Sequence, residues 1–228
     1  SMFAMVPSAG AATGPVNLIY AKPVYGEGFS LSANGYVEVE NLGFAKNVTI
    51  HYTTDGGATW KDTAATYKQP TWGNYEAWEF NTEFFSIGYK GVGTISFAIK
   101  YEVNGQEYWD NNNGNNHTVK SGYSVISEYA FGASGSAALF GVSRDGDKIT
   151  GSVQLKNMGY EKSIKVRYSN DNWKTYGDVS AVYDYTLPNG NEVWKFEITS
   201  AETIEFAISY KVAGTEYWDN NFGENYTI

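Results

Sequence analysis

Short stretches in which apolar and polar residues alternate recur along the chain, separated by residues that favour turns. The clearest are residues 48–52 (VTIHY), 97–103 (FAIKYEV) and 164–168 (IKVRY). A period of two places apolar side chains on one face of a strand and polar side chains on the other, as in a half-buried sheet. No segment shows a comparably strong 3.6-residue period, which an amphipathic helix would have. The pattern therefore predicts an all-β protein.

The two halves of the chain repeat the same order of strands and turns. Residues 94–105 match 203–214, and residues 107–117 (EYWDNNNGNNH) match 216–226 (EYWDNNFGENY). The second copy is seven residues shorter near 81–93. Short strands with turns between them favour two tandem immunoglobulin-like antiparallel β-sandwich domains. We expect these domains at residues 18–120 and 121–228, with residues 1–17 as a cloning remnant and linker.

The last hairpin of each copy can be predicted in detail. Asn104-Gly105 is a strong signal for a two-residue type I′ turn. This turn pairs Tyr101 with Tyr108 on the core face, and it pairs Lys100 with Trp109 on the opposite, polar face. The second copy gives the same result, with Trp218 opposite Ser209. Asp110 and Asp219 then point inward, and we expect them to accept backbone hydrogen bonds that fix the following loop.

A tryptophan on the polar face of a strand suits the recognition of a neutral sugar. An indole ring can stack on the apolar C–H face of a pyranose, and an adjacent asparagine can donate and accept hydrogen bonds. The small residues Ala98 and Ala207 next to each tryptophan are expected to leave open space over the sheet. The alternative is that the ring packs under another loop or against the other copy. The recurrence of the same neighbours in both copies favours a sugar site.

Composition and charge exclude several other classes. The chain has 228 residues, of which 17% are aromatic and 18% charged, with a net charge of −9. A disordered chain has fewer aromatic residues, and a protein that binds nucleic-acid phosphates needs a basic face. No apolar run is long enough to span a membrane. With no Cys and only two His, we expect no metal site. The polar loop after Asp110 does not fit the EF-hand spacing of a calcium site. No cofactor is expected.

The order and spacing of several motifs resemble those of the family 21 carbohydrate-binding modules. These modules are the starch- and glycogen-binding domains of some glucoamylases and of glycogen-targeting phosphatase subunits. In the second copy the resemblance rests on residues 156–162 (KNMGYEK), 194–196 (WKF) and 217–221 (YWDNN). It covers about residues 35–119 and 149–228. The resemblance implies an immunoglobulin-like sandwich that binds α-1,4-glucan.

The resemblance also implies two sets of site residues in each copy. One family site uses a loop tryptophan, aromatics of the final hairpin and asparagines of the final loop. The matching residues are Trp109, Asn111 and Asn116 in the first copy, and Trp173, Trp218, Asn220 and Asn225 in the second. A second family site uses aromatics near an Asn-x-Gly-aromatic segment and a nearby lysine. Its matching residues are Phe44, Lys46, Tyr67 and Tyr75, and in the second copy Tyr160, Lys162 and Tyr183.

The first copy departs from the family pattern, because Gly57 stands where the second copy has Trp173. Trp60 aligns with Tyr176 and is either a core residue or a substitute platform, and Trp72 is a further candidate to compensate. Tyr75 aligns with Asn191, so the second copy is expected to lack a complete second site. We therefore expect the two copies to bind with different strength.

The leading hypothesis is non-catalytic binding of α-1,4-glucan (starch, glycogen or maltooligosaccharides) by the two modules. The protein is expected to be secreted or at a bacterial cell surface, monomeric, and free of nucleic-acid and membrane partners. It could act alone, in a larger multidomain protein or in a cell-surface starch-degrading complex. The alternatives are an intracellular glycogen-targeting phosphatase scaffold, for which no convincing docking peptide is found, and an Ig-like adhesin or protein-interaction pair. A hydrolase would need paired carboxylates in a cleft, and the repeated acids lie within one hairpin.

Overall fold

The computed structural model describes residues 14–228, which form two compact units that divide between Gly135 and Ser136. Residues 1–13 of the predicted linker lie outside the described residues, and Val16 and Asn17 already belong to the first strand. All regular elements of residues 14–228 are β-strands. Within that range no helix is long and apolar enough to cross a membrane. The predicted all-β fold with two antiparallel sandwiches is confirmed.

The first unit is a sandwich of two six-stranded sheets. Its strands are β1 (Val16–Gly26), β2 (Ser30–Glu40), β3 (Lys46–Thr53), β4 (Lys61–Ala64), β5 (Thr66–Pro70), β6 (Tyr75–Asn81), β7 (Phe85–Ser86), β8 (Val92–Val103), β9 (Gln106–Asp110), β10 (His117–Gly122), β11 (Val125–Glu128) and β12 (Ala130–Phe131). Sheet A has the order β12-β1-β2-β6-β5, with β7 paired to β2. Sheet B has the order β11-β10-β8-β3-β4, with β9 paired to β8. Inward-facing Leu18, Val37, Ile50, Phe80 and Phe97 are fully buried between the sheets.

The second unit repeats this architecture with fewer strands. Its strands are β13 (Ala137–Asp145), β14 (Lys148–Leu155), β15 (Lys162–Ser169), β16 (Gly177–Ser180), β17 (Val182–Thr186), β18 (Glu192–Thr199), β19 (Glu205–Val212), β20 (Thr215–Asp219) and β21 (Tyr226–Thr227). Sheet C has the order β13-β14-β18-β17, and sheet D has the order β16-β15-β19-β20 with β21 paired to β19. Its core includes Val153, Val166, Phe196, Phe206 and Ile208.

The boundary between the units differs from the one expected at Lys120-Ser121. β11 pairs with β10, and β12 pairs with β1 through Tyr20–Phe131 and Ala21–Ala130. Residues 121–135 therefore complete both sheets of the first unit. The sequence comparison could not reveal this, because this stretch has no matching segment in the other copy.

The extra residues of the first copy near 81–93 form a structure that the second copy lacks. They include β7, which pairs with the start of β2 through Leu31–Phe85 and Ser30–Ser86. In the second unit β18 leads to β19 with no strand between them. The first unit thus has one additional short strand, β7, in sheet A.

The predicted hairpin pairing is confirmed in both units. Lys100 pairs with Trp109, and Ser209 pairs with Trp218. The inward-facing carboxylates accept backbone hydrogen bonds as expected, since Asp110 Oδ2 accepts from Leu18 N at 2.8 Å. Burial of Asp110 raises its pKa, but the hydrogen bond and charge of His117 bring the pKa below its ordinary value. These contacts fix the position at which the polar loop after each tryptophan begins.

Candidate functional site

The outer face of sheet B carries a row of aromatic side chains around Trp109. Trp109 is 46% exposed, and its indole N–H donates to Glu107 Oε1 at 2.6 Å. His51 lies edge-on to Trp109 with ring centroids 6.3 Å apart, and it stacks on Trp60 at 4.7 Å. Asp62 Oδ1 lies 2.6 Å from His51 Nδ1 and orients the imidazole. We call Trp109, His51 and Trp60 the first platform; Trp60 is an exposed part of it, so it is not a core residue.

The second unit builds an equivalent row with an arginine in place of His51. The Arg167 guanidinium carbon lies 4.1 Å from the ring centroid of Tyr176 and 5.4 Å from that of Trp218. Asp178 accepts from Arg167 Nε at 2.8 Å and from Nη2 at 3.0 Å. These hydrogen bonds raise the pKa of Arg167 and lower that of Asp178. Trp218, Arg167 and Tyr176 form the second platform.

The sequence prediction did not include His51 and Arg167 among the site residues. The available signal was their equivalent outward position, since His51 pairs with Ala98 and Arg167 with Ala207. The expectation of open space above the two alanines is wrong, because both alanines are buried. The ligand-accessible surface here is therefore the face of the rings and not the sheet.

The loop that follows each tryptophan is held together by its own asparagines. Asn111 Oδ1 and Asn220 Oδ1 each accept from the backbone N–H three residues later, at 3.0 Å. Asn116 and Asn225 both have φ 58°, a left-handed conformation that asparagine tolerates. The Asn225 side chain is buried, and its Nδ2 and Oδ1 have no hydrogen-bond partner within residues 14–228. An unsatisfied buried amide costs about 1–3 kcal/mol, and because this amide is buried, the structure does not present it to a ligand.

Trp173 does not present the exposed ring that was expected of it. Only 9% of the residue is exposed. Its backbone N–H donates to Ser169 Oγ at 2.9 Å, and the equivalent Gly57 N–H donates to Thr53 Oγ1 at 2.9 Å. The loop thus has the same hydrogen bonds with either residue, and burial of a large aromatic ring is favourable. The difference between Gly57 and Trp173 therefore removes no exposed stacking surface from the first unit.

These two loops are also expected to determine a response to acid. Asp55 and Asp171 each accept hydrogen bonds from the hydroxyl and the backbone N–H of Thr59 and Thr175, and these bonds lower the pKa of both carboxyls from 3.8 to about 2. The stabilisation of the loops is therefore full above pH 3.8 and is lost as the pH falls through about 2. Carboxyl ¹³C shifts measured by NMR should titrate with midpoints near 2. Midpoints near 3.8, or midpoints that Thr59→Val and Thr175→Val leave unchanged, would contradict this assignment.

A second pair of candidate sites consists of two open grooves at the β2–β3 and β14–β15 connections. The first groove has a volume of about 620 Å³, and the second about 880 Å³. The first groove is lined by Phe44, Lys46 and Tyr67, and the second by Tyr160, Lys162 and Tyr183. Phe44 and Tyr160 are fully exposed at the rims. In each unit, the structure thus brings together three equivalent residues that the sequence predicted for this site.

Each groove also contains a buried ion pair that the sequence prediction missed. Lys46 Nζ lies 3.1 Å from Glu76 Oε1, and Lys162 Nζ lies 3.3 Å from Glu192 Oε2. The same glutamates accept from the indole N–H of the tryptophan two residues later, Trp194 in the second unit at 3.0 Å. The lysine side chains are almost inaccessible, so they hold the floor of the groove in place. Direct hydrogen bonds from them to a ligand remain a prediction.

Tyr75 does not belong to the first groove. It stacks on Trp72 with ring centroids 5.0 Å apart, and the groove is complete without it. Its counterpart Asn191 is buried and donates to Gln154 Oε1 at 3.0 Å. The expectation that the second copy lacks a complete second site because of Asn191 is therefore not supported, since both grooves have equivalent walls.

No cluster of three or more His, Cys, Asp or Glu side chains within residues 14–228 could hold a metal ion. The chemistry at both platforms and both grooves is that of aromatic rings, amides and fixed charges. Such surfaces can bind a hydroxyl-rich ring by stacking and hydrogen bonding.

Comparison with known proteins agrees with this class of site. The profile of the carbohydrate/starch-binding module family 21 matches residues 19–120 and again residues 138–228. A stretch of 88 residues is 38% identical to protein phosphatase 1 regulatory subunit 3C of Bos taurus, covering 35% of this chain and 28% of that protein. A stretch of 88 residues is 41% identical to regulatory subunit 3B of Danio rerio, covering 35% of this chain and 30% of that protein. The matched stretch thus spans less than a third of either relative.

Among solved structures, the starch binding domain of Rhizopus oryzae glucoamylase is 28% identical, with a TM-score of 0.37. That match covers 41% of this chain and 92% of the glucoamylase domain, which was solved with beta-cyclodextrin and maltoheptaose. The two sandwiches and their repeated sites define a pair of carbohydrate-binding modules. The chain belongs to the carbohydrate/starch-binding module family 21 and contains two copies of the module.

Proposed function

We propose that the chain binds α-1,4-glucan without catalysis, by stacking sugar rings on the aromatic side chains of both modules. The observation that carries this proposal is the recurrence of the platform. Trp109 and Trp218 lie on the outer face of equivalent sheets, each next to a basic side chain that contacts a second aromatic ring. An arrangement kept in two copies with a different central side chain, His51 or Arg167, is better explained by a ligand than by packing.

The asparagines of the final loops supply the hydrogen bonds in this proposal. Asn111, two residues after Trp109, is exposed, and its amide can donate and accept as a sugar hydroxyl does. The ligand carries no charge, so the net charge of −9 does not oppose binding. Two modules on one chain raise the affinity for a polymer through effective concentration when both can reach it.

The test is retention of the full chain on insoluble starch. We expect the protein to be depleted from solution by starch and released by maltoheptaose, while insoluble cellulose retains little of it. The reason is that an α-1,4 chain curves, whereas a β-1,4 chain is flat and straight. A protein that remains in solution with starch, or that cellulose binds equally well, would refute the proposal.

The phosphatase subunits among the relatives favour a second candidate function, recruitment of a phosphatase to glycogen. The match spans 28% of the bovine subunit. Co-precipitation of protein phosphatase 1 catalytic subunit with the purified chain on glycogen would support this candidate. If glycogen precipitates the chain without the phosphatase, recruitment is excluded and only non-catalytic glucan binding is supported.

A further inference from the structure

The first unit carries a group of exposed aromatic rings that neither the platform nor the groove uses. Phe29 is 57% exposed, Tyr89 71% and Tyr123 69%. The Phe29 and Tyr89 ring centroids are 5.4 Å apart, and those of Tyr89 and Tyr123 are 6.5 Å apart. Lys90 Nζ lies 5.4 Å from the centroids of both tyrosine rings. We call Phe29, Tyr89, Lys90 and Tyr123 the ring cluster.

Backbone hydrogen bonds join the segments under the ring cluster. The cluster combines three separate segments, the β1–β2 turn, the β7–β8 loop and the β10–β11 turn. Ile87 N donates to Phe29 O at 2.9 Å, and Tyr123 N donates to Gly91 O at 3.0 Å. Phe29 and Lys90 have φ 56° and 59°, which is unfavourable for residues with large side chains. Such strained conformations persist where the surrounding structure enforces them, and they concentrate at ligand sites.

A polar groove adjoins the ring cluster along β7. We call it the β7 groove; it is lined by Thr53, Thr54, Asp55, Gly56, Phe85, Ser86, Ile87, Val92, Gly93, Thr94 and Ser96. Its volume is about 470 Å³, within the range of ligand pockets. Ile87 and Val92 in its wall flank the turn that bears Tyr89 and Lys90. The wall of the groove therefore leads directly into the turn that carries two residues of the ring cluster.

The chemistry of this surface fits a neutral, hydroxyl-rich chain. Five of the residues that line the β7 groove carry hydroxyl groups, and Asp55 is its one charged side chain. Asp55 is ionised at neutral pH, and hydrogen bonds from Thr59 lower its pKa further, to about 2, so an anionic ligand would be repelled. The rings of Tyr89 and Tyr123 are inclined by 42°, and those of Phe29 and Tyr89 by 71°. Inclined rings can follow a curved chain, whereas a flat chain needs coplanar rings.

We propose that the ring cluster and the β7 groove form an additional α-glucan subsite that the first module has and the second module lacks. The inference rests on the proposed function. The second copy cannot build this surface, because its sequence is seven residues shorter between the aligned positions and its β18–β19 connection contains no strand equivalent to β7. The additional subsite would give the first module a longer glucan-binding surface than the second module has.

The decisive experiment compares full-length variants on insoluble starch by depletion. Tyr89→Ala combined with Tyr123→Ala is expected to weaken retention about threefold to tenfold, because two stacking faces are lost. Tyr89→Phe combined with Tyr123→Phe is the matched control and should stay within about twofold of the parent, since it keeps both rings. Far-UV circular dichroism and the melting temperature should be unchanged in both variants, since the replaced side chains are exposed.

A second readout does not depend on removing side chains from the cluster. In a Trp109→Ala, Trp218→Ala background, maltoheptaose should shift the aromatic NMR signals of Phe29, Tyr89 and Tyr123. If these signals do not move and the Tyr89→Ala, Tyr123→Ala variant binds starch like the parent, the inference is refuted while the proposed function stands. If the parent itself is not retained by starch, the proposed function fails first.

A second copy of the chain is the competing occupant of the ring cluster. Sedimentation velocity distinguishes it, because a dimeric parent that becomes monomeric on Tyr89→Ala, Tyr123→Ala, with unchanged retention on starch, would overturn the inference. A monomeric parent with weakened retention of the variant supports the glucan subsite.

Discussion

Replacing Trp109 and Trp218 together by alanine is expected to raise the dissociation constant for maltoheptaose by about tenfold or more. Covering an aromatic side chain with apolar ligand surface contributes roughly 1.5–3 kcal/mol, and each 1.4 kcal/mol corresponds to about tenfold in affinity. Titration calorimetry on the full chain measures both the affinity and the number of sites. Retention on starch should fall further than the affinity for the oligosaccharide, because avidity depends on both modules.

Conservative variants separate loss of the ring from loss of the fold. Trp109→Phe with Trp218→Phe keeps a smaller ring face and should bind with intermediate affinity. Each single alanine variant should remove one platform and leave the other, so that the two modules can be ranked. The platform assignment would be abandoned if the double alanine variant, with an unchanged melting temperature, bound maltoheptaose as tightly as the parent.

Replacing Glu192 by glutamine is expected to destabilise the second unit by about 3–5 kcal/mol. The substitution leaves the Lys162 ammonium without its carboxylate at a position where the lysine side chain is 4% exposed and the glutamate side chain 12%. Removing one partner of a buried pair leaves an uncompensated charge, with a typical cost of about 3–5 kcal/mol. For a unit of this size the melting temperature should fall by about 15–25 °C. In scanning calorimetry of the full chain, only the unfolding transition of the second unit should move to lower temperature.

The same unit contains a matched control for the effect of burial. Lys148 Nζ lies 3.5 Å from Glu197 Oε2, and both side chains are more than half exposed. Glu197→Gln should therefore change the stability by about 0–1 kcal/mol. The double replacement Lys162→Met, Glu192→Leu should recover most of the loss, because it removes both charges. Equal effects of Glu192→Gln and Glu197→Gln would show that the groove pair is not effectively buried.

The two modules differ in a way that the alignment did not suggest. Gly57 opposite Trp173 was the most conspicuous sequence difference, yet Trp173 is nearly buried and the loop hydrogen bonds are shared. The differences at the surface lie elsewhere, in His51 against Arg167 on the platform and in the ring cluster of the first unit. We therefore expect any difference in affinity to arise from these features.

The sequence alone determined the fold class, the repeat and the face on which each platform tryptophan lies. These follow from local rules, since the period of two and the Asn104-Gly105 and Ala213-Gly214 turns fix which side chains share a face. The predicted pairings of Trp109 and Trp218 were confirmed for that reason. The loop-fixing roles of Asp110 and Asp219 follow from the same pairing.

Tertiary structure decided the features that depend on residues far apart in the chain. The burial of Trp173, the stacking of Tyr75 on Trp72 and the pairing of residues 125–131 with the first unit depend on packing and strand pairing between distant segments. The same holds for the Lys–Glu pairs of the grooves, whose partners are 30 residues apart. Periodicity and spacing specify which face a side chain occupies, but they do not specify what covers that face. Only the folded chain brings Phe29, Tyr89 and Tyr123 to one surface.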